Sequence, residues 1–244
     1  MVLFIDKITD KDRAWLRSYC PKLKIIEGDP LIIVGTLSFD MFYDGNNSQY
    51  VLNPEGNPQP ENMRIRDEYE IDITFKGSDF SSLPQVRETG GRIRNIIEKR
   101  KLAPKDLHLY SESGPACLCS PLDEEKHLPK GFCISDYFST LVIPFFYAQS
   151  YYEKYNKWAP WGDYSHGALG ILESYATNEN SKTLTQKCIQ LIKRDNKWAI
   201  YNKLLESNDD LKEHLPCICG LPIKFGYCHP LACSGLLKLK NDIK

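Results

Sequence analysis

The feature that most constrains this chain is a cluster of three cysteines and one histidine near its C-terminal end. The pattern C-x-C-x8-C-H is formed by Cys217, Cys219, Cys228 and His229. Two close ligand pairs separated by a short loop are typical of tetrahedral zinc, because each pair occupies two vertices of the tetrahedron. Gly220 allows the tight turn that follows the first pair. The sequence therefore predicts a structural Zn²⁺ ion, which gives a fold to a segment too short to have its own core.

The same stretch also limits what the ion can do. Four protein ligands leave no open position on the metal, so the pattern favours a structural site over a catalytic one. Cys233 is either a spare thiol or a replacement for His229 as the fourth ligand. The stretch CICGLPIKFGYCH resembles the SEC-C zinc motif at its ligand positions. In that context the knuckle serves either as a small docking surface for a protein partner or as a staple for the C-terminal segment.

Composition excludes several classes of protein. With 244 residues, of which 42% are hydrophobic, the chain fits one large domain, or one smaller domain with an appendage. Nine cysteines and an N-terminus that is no signal peptide argue for metal ligands or nucleophiles rather than disulfides. A net charge of −1 and the absence of a long apolar run indicate neither a nucleic-acid partner nor a membrane partner. We therefore expect a soluble, cytoplasmic protein.

Hydrophobic periodicity predicts a helix, then antiparallel strands, then further helices, which is an α+β arrangement. Strict alternation over residues 66–75 is typical of a half-buried antiparallel strand. The other predicted elements of this half are a helix over 9–19, strands over 31–43 and 83–89, a loop over 44–62, a turn over 76–84 and a short helix or loop over 90–101.

The second half of the chain is predicted to be helical. Ser135 can cap a helix that Pro144 breaks or kinks. The chain then continues as a helix with an aromatic stripe over 145–158, and two amphipathic helices follow within 182–213. We divide the chain into a domain over 1–178 and a helical extension with the zinc knuckle over 179–244.

A second Cys-x-Cys pair, Cys117 and Cys119, lies in the polar and irregular stretch SESGPACLCSPL. Such a stretch predicts exposure, and an exposed thiol on a loop can act as a nucleophile or a thioester carrier. The acidic residues nearby favour a thioester carrier over a papain-like attacking thiolate. A second zinc site that also uses His127 and Cys133 remains an alternative.

The order of the elements resembles that of the ubiquitin-conjugating enzymes. In that family a strand meander ends in a proline turn, a His-Pro-Asn stretch follows, and G-x-x-C-L carries the thioester cysteine. Here SSLPQV stands at the turn, His108 stands for the family histidine, and Gly114-Pro-Ala-Cys117-Leu118 matches the cysteine motif. The resemblance implies an antiparallel meander flanked by helices, with Cys117 as the thioester cysteine and Cys119 as the second choice.

The sequence departs from the family at the His-Pro-Asn stretch. Leu109 and Tyr110 replace proline and asparagine, so the asparagine that stabilises the oxyanion is missing. Backbone amides or Tyr110 remain as oxyanion donors. His108 either supports catalysis or satisfies its own loop. His166, before two glycines, is either a structural histidine or a neighbour of the reactive cysteine, whereas Cys20, Cys133 and Cys188 are expected to be buried small apolar residues.

The stretch from ISDYFSTLVIPFF to GALGILESY resembles a bacterial branch of this fold found in antiphage CBASS operons. There the conjugating-enzyme-like protein works beside a cGAS-like nucleotidyltransferase. The resemblance, over about residues 10–175, implies that Cys117 accepts the C-terminal carboxyl of that partner protein as a thioester and passes it to an amine. No G-x-G-x-x-G follows a strand, so activation must come from elsewhere. The alternatives are a non-catalytic adaptor for the same partner and a zinc hydrolase with Cys117, Cys119 and His127 as ligands.

Overall fold

The computed structural model describes residues 8–47, 49–53, 64–76, 83–111, 114–128, 133–157, 164–207 and 215–243. These residues form two compact units. The first unit runs to Cys119 and resumes at Glu124, and the second consists of Ser120–Asp123 and the described residues after position 163. Each unit has a hydrophobic core of its own.

The first unit is an α+β structure whose described residues include a five-stranded antiparallel sheet. The sheet order is β1-β2-β4-β5, and β3 pairs with the far end of β2. Because Met41 of β2 pairs with both β3 and β4, β3 shares one edge of β2 with β1. The strands are β1 (Leu23–Ile26), β2 (Ile32–Asp44), β3 (Gln49–Leu52), β4 (Arg64–Thr74) and β5 (Gln85–Glu88).

Strand β4 confirms the alternation seen in the sequence. Tyr69, Ile71 and Ile73 are buried on one face, as is Phe75 just beyond the strand. Gly35 of β2 is the irregularity anticipated within the first long strand, because its φ is +130° and a Cβ would lie 2.4 Å from the Lys22 carbonyl oxygen. The sheet therefore presents one apolar face to the helices of the same unit.

Helices of the first unit cover this face. A Thr9–Asp12 capping pair starts α1, and the buried Asp12 carboxylate also accepts a hydrogen bond from the Ile134 amide at 2.9 Å. One carboxylate thus fixes the starts of two helices. These helices are α1 (Asp10–Tyr19), α2 (Arg92–Arg100), α3 (Glu124–His127), α4 (Ile134–Tyr137) and α5 (Ile143–Tyr155), together with a 3₁₀ turn at Pro104–Leu107.

The helical run from α4 to α5 corrects two predictions. Pro144 does not break it, because a π turn at Phe138–Val142 directly precedes the proline and widens the backbone where its ring would meet a carbonyl. Ser135 is not the cap either: the helix starts after Cys133, whose amide donates to Asp136 at 3.0 Å. Cys133 is accordingly half-buried, whereas Cys20 and Cys188 are buried as expected.

The second unit is helical in the part of the chain that the structure describes. Gly235 of α10 lies against α6, since a Cβ there would come within 1.9 Å of the Leu172 carbonyl oxygen. The predicted division between residues 178 and 179 would leave α6 in the first domain, whereas the contacts group α6 with α10. The helices of this unit are α6 (Ala168–Thr177), α7 (Lys182–Ile192), α8 (Trp198–Glu206), α9 (Phe225–Cys228) and α10 (Pro230–Asp242).

The predicted loop over 44–62 contains β3, so the loop prediction is wrong for that part. Tyr50 of β3 packs edge-on against Tyr43 and Tyr147, which explains why a polar stretch forms a strand there. Most of the predicted turn over 76–84, the rest of that loop from residue 54, Glu112 and Ser113 lie outside the described residues. Among the described helices, none has the length and apolar character required to span a bilayer.

Candidate functional site

The segment that carries Cys117 lies beside the edge strand β5. The Ala116 amide donates to the Val86 carbonyl oxygen at 2.7 Å, and Leu109 pairs with Ala116 in an antiparallel bridge. The Cys117 amide donates to the His108 carbonyl oxygen at 2.7 Å. Cys117 is therefore held at the end of a short backbone ladder, and its sulfur belongs to a partly exposed residue on an ordered frame.

His108 reaches Cys117 through its backbone. It ends the 3₁₀ turn at Pro104–Leu107 in a left-handed conformation with φ +54°, which is uncommon for a residue with a side chain. Its amide donates to the Lys105 carbonyl oxygen at 3.0 Å, and its own carbonyl accepts from Cys117. The structure thus brings the predicted histidine and cysteine together, with the His108 backbone as the positioning group.

The side chains of Tyr110 and Cys117 form a hydrogen bond. Although 52% of the Tyr110 surface is exposed, the pKa of its side chain is raised, first by desolvation, then by the charge of Cys117 and a hydrogen bond with it. Cys119 and Glu124 raise the pKa of Tyr110 further. A phenol with a raised pKa stays protonated at neutral pH, so Tyr110 is a hydrogen-bond donor toward the sulfur.

Cys119 faces a different environment from Cys117. Cys119 packs against the core of the first unit, whereas Cys117 is not among the described residues that do so. Tyr137 is fully buried and its hydroxyl donates to the Pro84 carbonyl oxygen at 2.8 Å; its pKa is raised by desolvation and then by the charge of Cys119. Both cysteines are partly exposed, and Cys119 is the one that packs against the core of the first unit.

One acidic residue near this site was not singled out in the sequence. Glu124, the first residue of α3, is only 2% exposed, and its charge contributes to the raised pKa of Tyr110. The run Asp-Glu-Glu-Lys-His after the second cysteine has the composition of a solvated surface. Only the leucines on either side, Leu122 and Leu128, both buried, hint that acidic residues of this run turn inward, as Glu124 and its neighbour Asp123 do.

The predicted metal ligands converge in the second unit. One ligand atom from each of Cys217, Cys219, Cys228 and His229 lies within 4.8 Å of every other. The Cys219 and Cys228 sulfurs are 3.7 Å apart, and the Cys217 sulfur lies 3.2 Å from His229 Nδ1. Two sulfurs bound to one tetrahedral Zn²⁺ stand about 3.8 Å apart. The donor set and its spacing therefore fit a metal ion.

Backbone hydrogen bonds arrange these ligands. Pro216 and Lys224 form an antiparallel bridge, and the Cys217 amide donates to the Ile223 carbonyl oxygen at 2.9 Å. Gly220 turns the chain with φ +99°, after which the Leu221 amide donates to the Cys219 sulfur at 3.4 Å. This hairpin places the first ligand pair, and the start of α10 follows directly from the second pair.

The electrostatics of the cluster distinguish the three thiols. Desolvation, and then the neighbouring thiols, raise the pKa of Cys217 to about 12, and desolvation is the main cause of the raised pKa of Cys228. For Cys219 desolvation acts in the same sense, but the Leu221 amide and the other two thiols lower its pKa overall. The pKa is thus lowered for Cys219 and raised for Cys217 and Cys228. A divalent cation would supply the positive charge that allows all three to bind as thiolates.

The other predictions from the sequence were a second zinc site, a ligand role for Cys233 and a role for His166 near the reactive cysteine. In the described ranges, the C-terminal cluster is the one group of three or more metal-ligating side chains, so Cys117, Cys119, His127 and Cys133 do not form a second one. Cys233 is buried in α10 and does not belong to the four-ligand group. His166 is an exposed residue of the second unit, ahead of α6.

Comparison with known proteins gives no independent assignment. The chain matches no protein-family model, no curated protein and no solved structure. Functional conclusions therefore rest on the two side-chain clusters themselves and on the sequence resemblance described above.

Proposed function

We propose that this protein is a cysteine acyltransferase with a ubiquitin-conjugating-like fold and a structural zinc ion. The observation that carries the proposal is the hydrogen bond between the side chains of Tyr110 and Cys117, whose amide donates to the His108 carbonyl oxygen. Tyr110 occupies the position at which the family has its oxyanion asparagine. A neutral phenol supplies the same kind of donor to the oxygen of a bound acyl group.

The chemistry has two steps. In the first, the Cys117 sulfur attacks the carbonyl carbon of an activated acyl group and a C–S bond forms. The leaving group departs with the electron pair of the bond that breaks and takes up the proton that the thiol releases. In the second, an amine attacks the thioester carbonyl, a C–N bond forms, and the C–S bond breaks. The proton lost by the amine returns to the Cys117 sulfur, so the enzyme ends the cycle as the thiol.

The metal centre has a separate, structural role in this proposal. Three cysteines and one histidine are a donor set that zinc prefers, and four protein ligands leave no position for a substrate. The ion would hold the hairpin of the second unit and the start of α10 in place. Zinc supplies no step of the acyl transfer.

The resemblance to the CBASS branch supports a protein substrate. On that basis the acyl donor is the C-terminus of a partner protein, and the partner is a cGAS-like nucleotidyltransferase in a bacterial antiphage system. Activation of that C-terminus requires another protein, because the chain has no dinucleotide-type nucleotide-binding motif.

Intact mass spectrometry without reductant tests the proposal. Wild type, Cys117→Ala, Cys119→Ala and Cys133→Ala are each mixed with a panel of peptides that end in a C-terminal thioester. We expect one acyl adduct on the wild type, on Cys119→Ala and on Cys133→Ala, and none on Cys117→Ala. If no peptide of the panel forms an adduct with the wild type, or if the adduct survives in Cys117→Ala, the proposed role of Cys117 is wrong.

A non-catalytic adaptor is the second candidate function. The exposed apolar side chains between Cys219 and Cys228 favour it. Leu221, Ile223 and Tyr227 are 55%, 46% and 74% exposed around the metal ligands. Large exposed apolar side chains concentrated on one loop are typical of an interaction surface. Co-purification with the nucleotidyltransferase at the bare mass of both proteins, together with no adduct on Cys117, would support the adaptor instead.

A further inference from the structure

A cleft beside the Cys117 segment is not used by the mechanism above. Its volume is about 250 Å³. It borders β5 and the turn into α2 on one side and Leu109 and Gly114 on the other. Its walls include Arg87, Thr89, Gly91, Arg94, Leu109 and Gly114.

The two arginines of this cleft are only weakly engaged by the protein. Arg87 lies 3.7 Å from Asp72, which is beyond hydrogen-bond range, and donates one hydrogen bond to Gln85 at 3.2 Å. Arg94 lies 4.0 Å from Glu98, and both side chains of that pair are more than half exposed. The exposed Arg94–Glu98 pair contributes little at this distance, whereas the Arg87–Asp72 pair is partly buried, with side-chain exposures of 37% and 27%. Because a guanidinium group has five N–H donors, both arginines keep donors for a ligand.

The carboxylate in the cleft wall is already committed. Glu88 accepts hydrogen bonds from the Arg92 and Ile93 amides, each at 3.2 Å, at the start of α2. Gly90 permits this arrangement, because a Cβ there would lie 2.9 Å from the Glu88 carboxylate. With Glu88 directed to the helix, the groups that remain for a ligand are the two arginines, and the cleft is an anion-binding environment.

The cleft adjoins the reactive segment. Leu109, in its wall, pairs with Ala116, and Ala116 directly precedes Cys117. Gly114 leaves the wall without a side chain and has no room for one, since a Cβ would lie 2.4 Å from Ser111 Oγ. Cys117 itself does not line the cleft, and the connection between them runs through the paired residues Leu109 and Ala116.

We propose that this cleft selects acyl donors whose C-terminal tail carries Asp or Glu a few residues before the reacting carboxyl. The inference rests on the proposed acyl transfer at Cys117. The arginines would bind these side chains through their unused N–H groups, and the tail would be recognised by charge rather than by a deep apolar pocket.

Paired peptide thioesters test this selection. Two peptides of equal length and identical C-terminal residues carry either two Glu or two Lys upstream, and the rate of adduct formation on Cys117 is measured by intact mass. For the wild type we expect the Glu peptide to react about tenfold faster at low salt, with a smaller ratio at high salt. The Arg87→Gln/Arg94→Gln variant should bring the ratio close to one.

The matched control is Lys99→Gln, which removes a positive charge from the same helix, α2, at an exposed position outside the cleft. This variant should keep the preference of the wild type, and Arg94→Glu should shift the preference toward the Lys peptide. If both peptides load the wild type at equal rates, the selection proposal fails while acyl transfer at Cys117 stands. If neither peptide loads, and a neutral peptide also fails, the proposed function itself falls.

Discussion

Tyr110 is the residue on which the chemistry of the first site depends most. An asparagine donates through an amide that never ionises, whereas a phenol donates only while it is protonated. Desolvation and the neighbouring Cys117 both raise the pKa of Tyr110, so the neutral form persists to a higher pH than in a free tyrosine. In the proposed acyl transfer, Tyr110 would therefore keep a donor at the site throughout the neutral and mildly alkaline range.

We expect Tyr110→Phe to slow acyl transfer through Cys117 by about 100-fold, the usual effect of losing one oxyanion donor. The rate of the wild type should not fall through ionisation of Tyr110 below about pH 10, because its folded pKa lies above the ordinary tyrosine value. Tyr19→Phe is the control, since Tyr19 is similarly exposed at 53%. Single-turnover rates equal to those of the wild type would assign the oxyanion to backbone amides instead.

At the scale of single residues, the sequence identified the candidate site residues but did not predict their contacts or their burial. The motif around Cys117 placed His108 and Tyr110 nearby, and the C-x-C-x8-C-H spacing identified all four metal ligands. The contact of Tyr110 with Cys117 depends on the Leu109–Ala116 bridge, which joins residues across a turn and leaves no periodic pattern. The burial of Glu124 was also invisible, because an acidic run is ordinarily solvated.

Among the elements, α6 and α10 approach each other closely at Gly235. Gly235 lets the two helices meet at the Leu172 carbonyl, where any side chain would collide with backbone atoms. Their contact joins Leu172 and Leu236, both fully buried, to the core of the second unit. The stability of this unit therefore depends on one position without a side chain.

Gly235→Ala should lower the free energy of unfolding of the second unit by about 1–3 kcal/mol, because the helices must separate to admit the new carbon. Ala has a higher helix propensity than Gly, so an effect of this sign cannot come from the helix alone. Ser234→Ala, at the adjacent exposed position of α10, should change stability by less than about 0.5 kcal/mol. Urea unfolding followed by circular dichroism measures both, and equal midpoints for the two variants would contradict the tight contact.

The elements show where sequence patterns succeed. Strict alternation predicted β4 because one of its faces is buried and the other is not. Strand β3 was missed because its neighbours are Asn, Gly and Pro, and its stability comes from tyrosine contacts distant in the sequence. The division at residue 178 lies close to the end of the family resemblance, at about residue 175, whereas the contacts of α6 group it with α10 in the second unit.

On the scale of the molecule, one candidate metal ligand, Cys217, belongs to the core of the second unit, and Cys219 and Cys228 pack against that core. Cys217 and Phe225 belong to the same hydrophobic cluster as the buried side chains of α6, α7 and α10. An ion that holds the hairpin therefore also holds part of the interior. A unit organised in this way depends on its ion more than a surface loop would.

Removal of the metal with a strong chelator should increase hydrogen exchange in residues 215–243, because the hairpin loses the ion that holds its ligands. Amides of β2 and β4, whose core is a separate cluster, should keep their protection. The same measurement on Cys228→Ser without chelator should give the same pattern. Uniform loss of protection in both units, or no change in residues 215–243, would contradict a structural metal.

Asp123, in the short segment 120–123 of the second unit, can be buried only after later parts of the chain have been synthesised. Asp123 is 2% exposed in the second unit, and its carboxylate accepts hydrogen bonds from Ser174 and Asn178, each at 2.7 Å. These partners are synthesised 51 and 55 residues after Asp123. A nascent chain that ends before Ser174 contains the Asp123 carboxylate but neither of its hydrogen-bond partners. Because residues 120–123 belong to the second unit and residues 124–162 to the first, no single cleavage of the chain separates the two units. The Asp123 carboxylate can therefore be buried with its partners only after Asn178 has been synthesised.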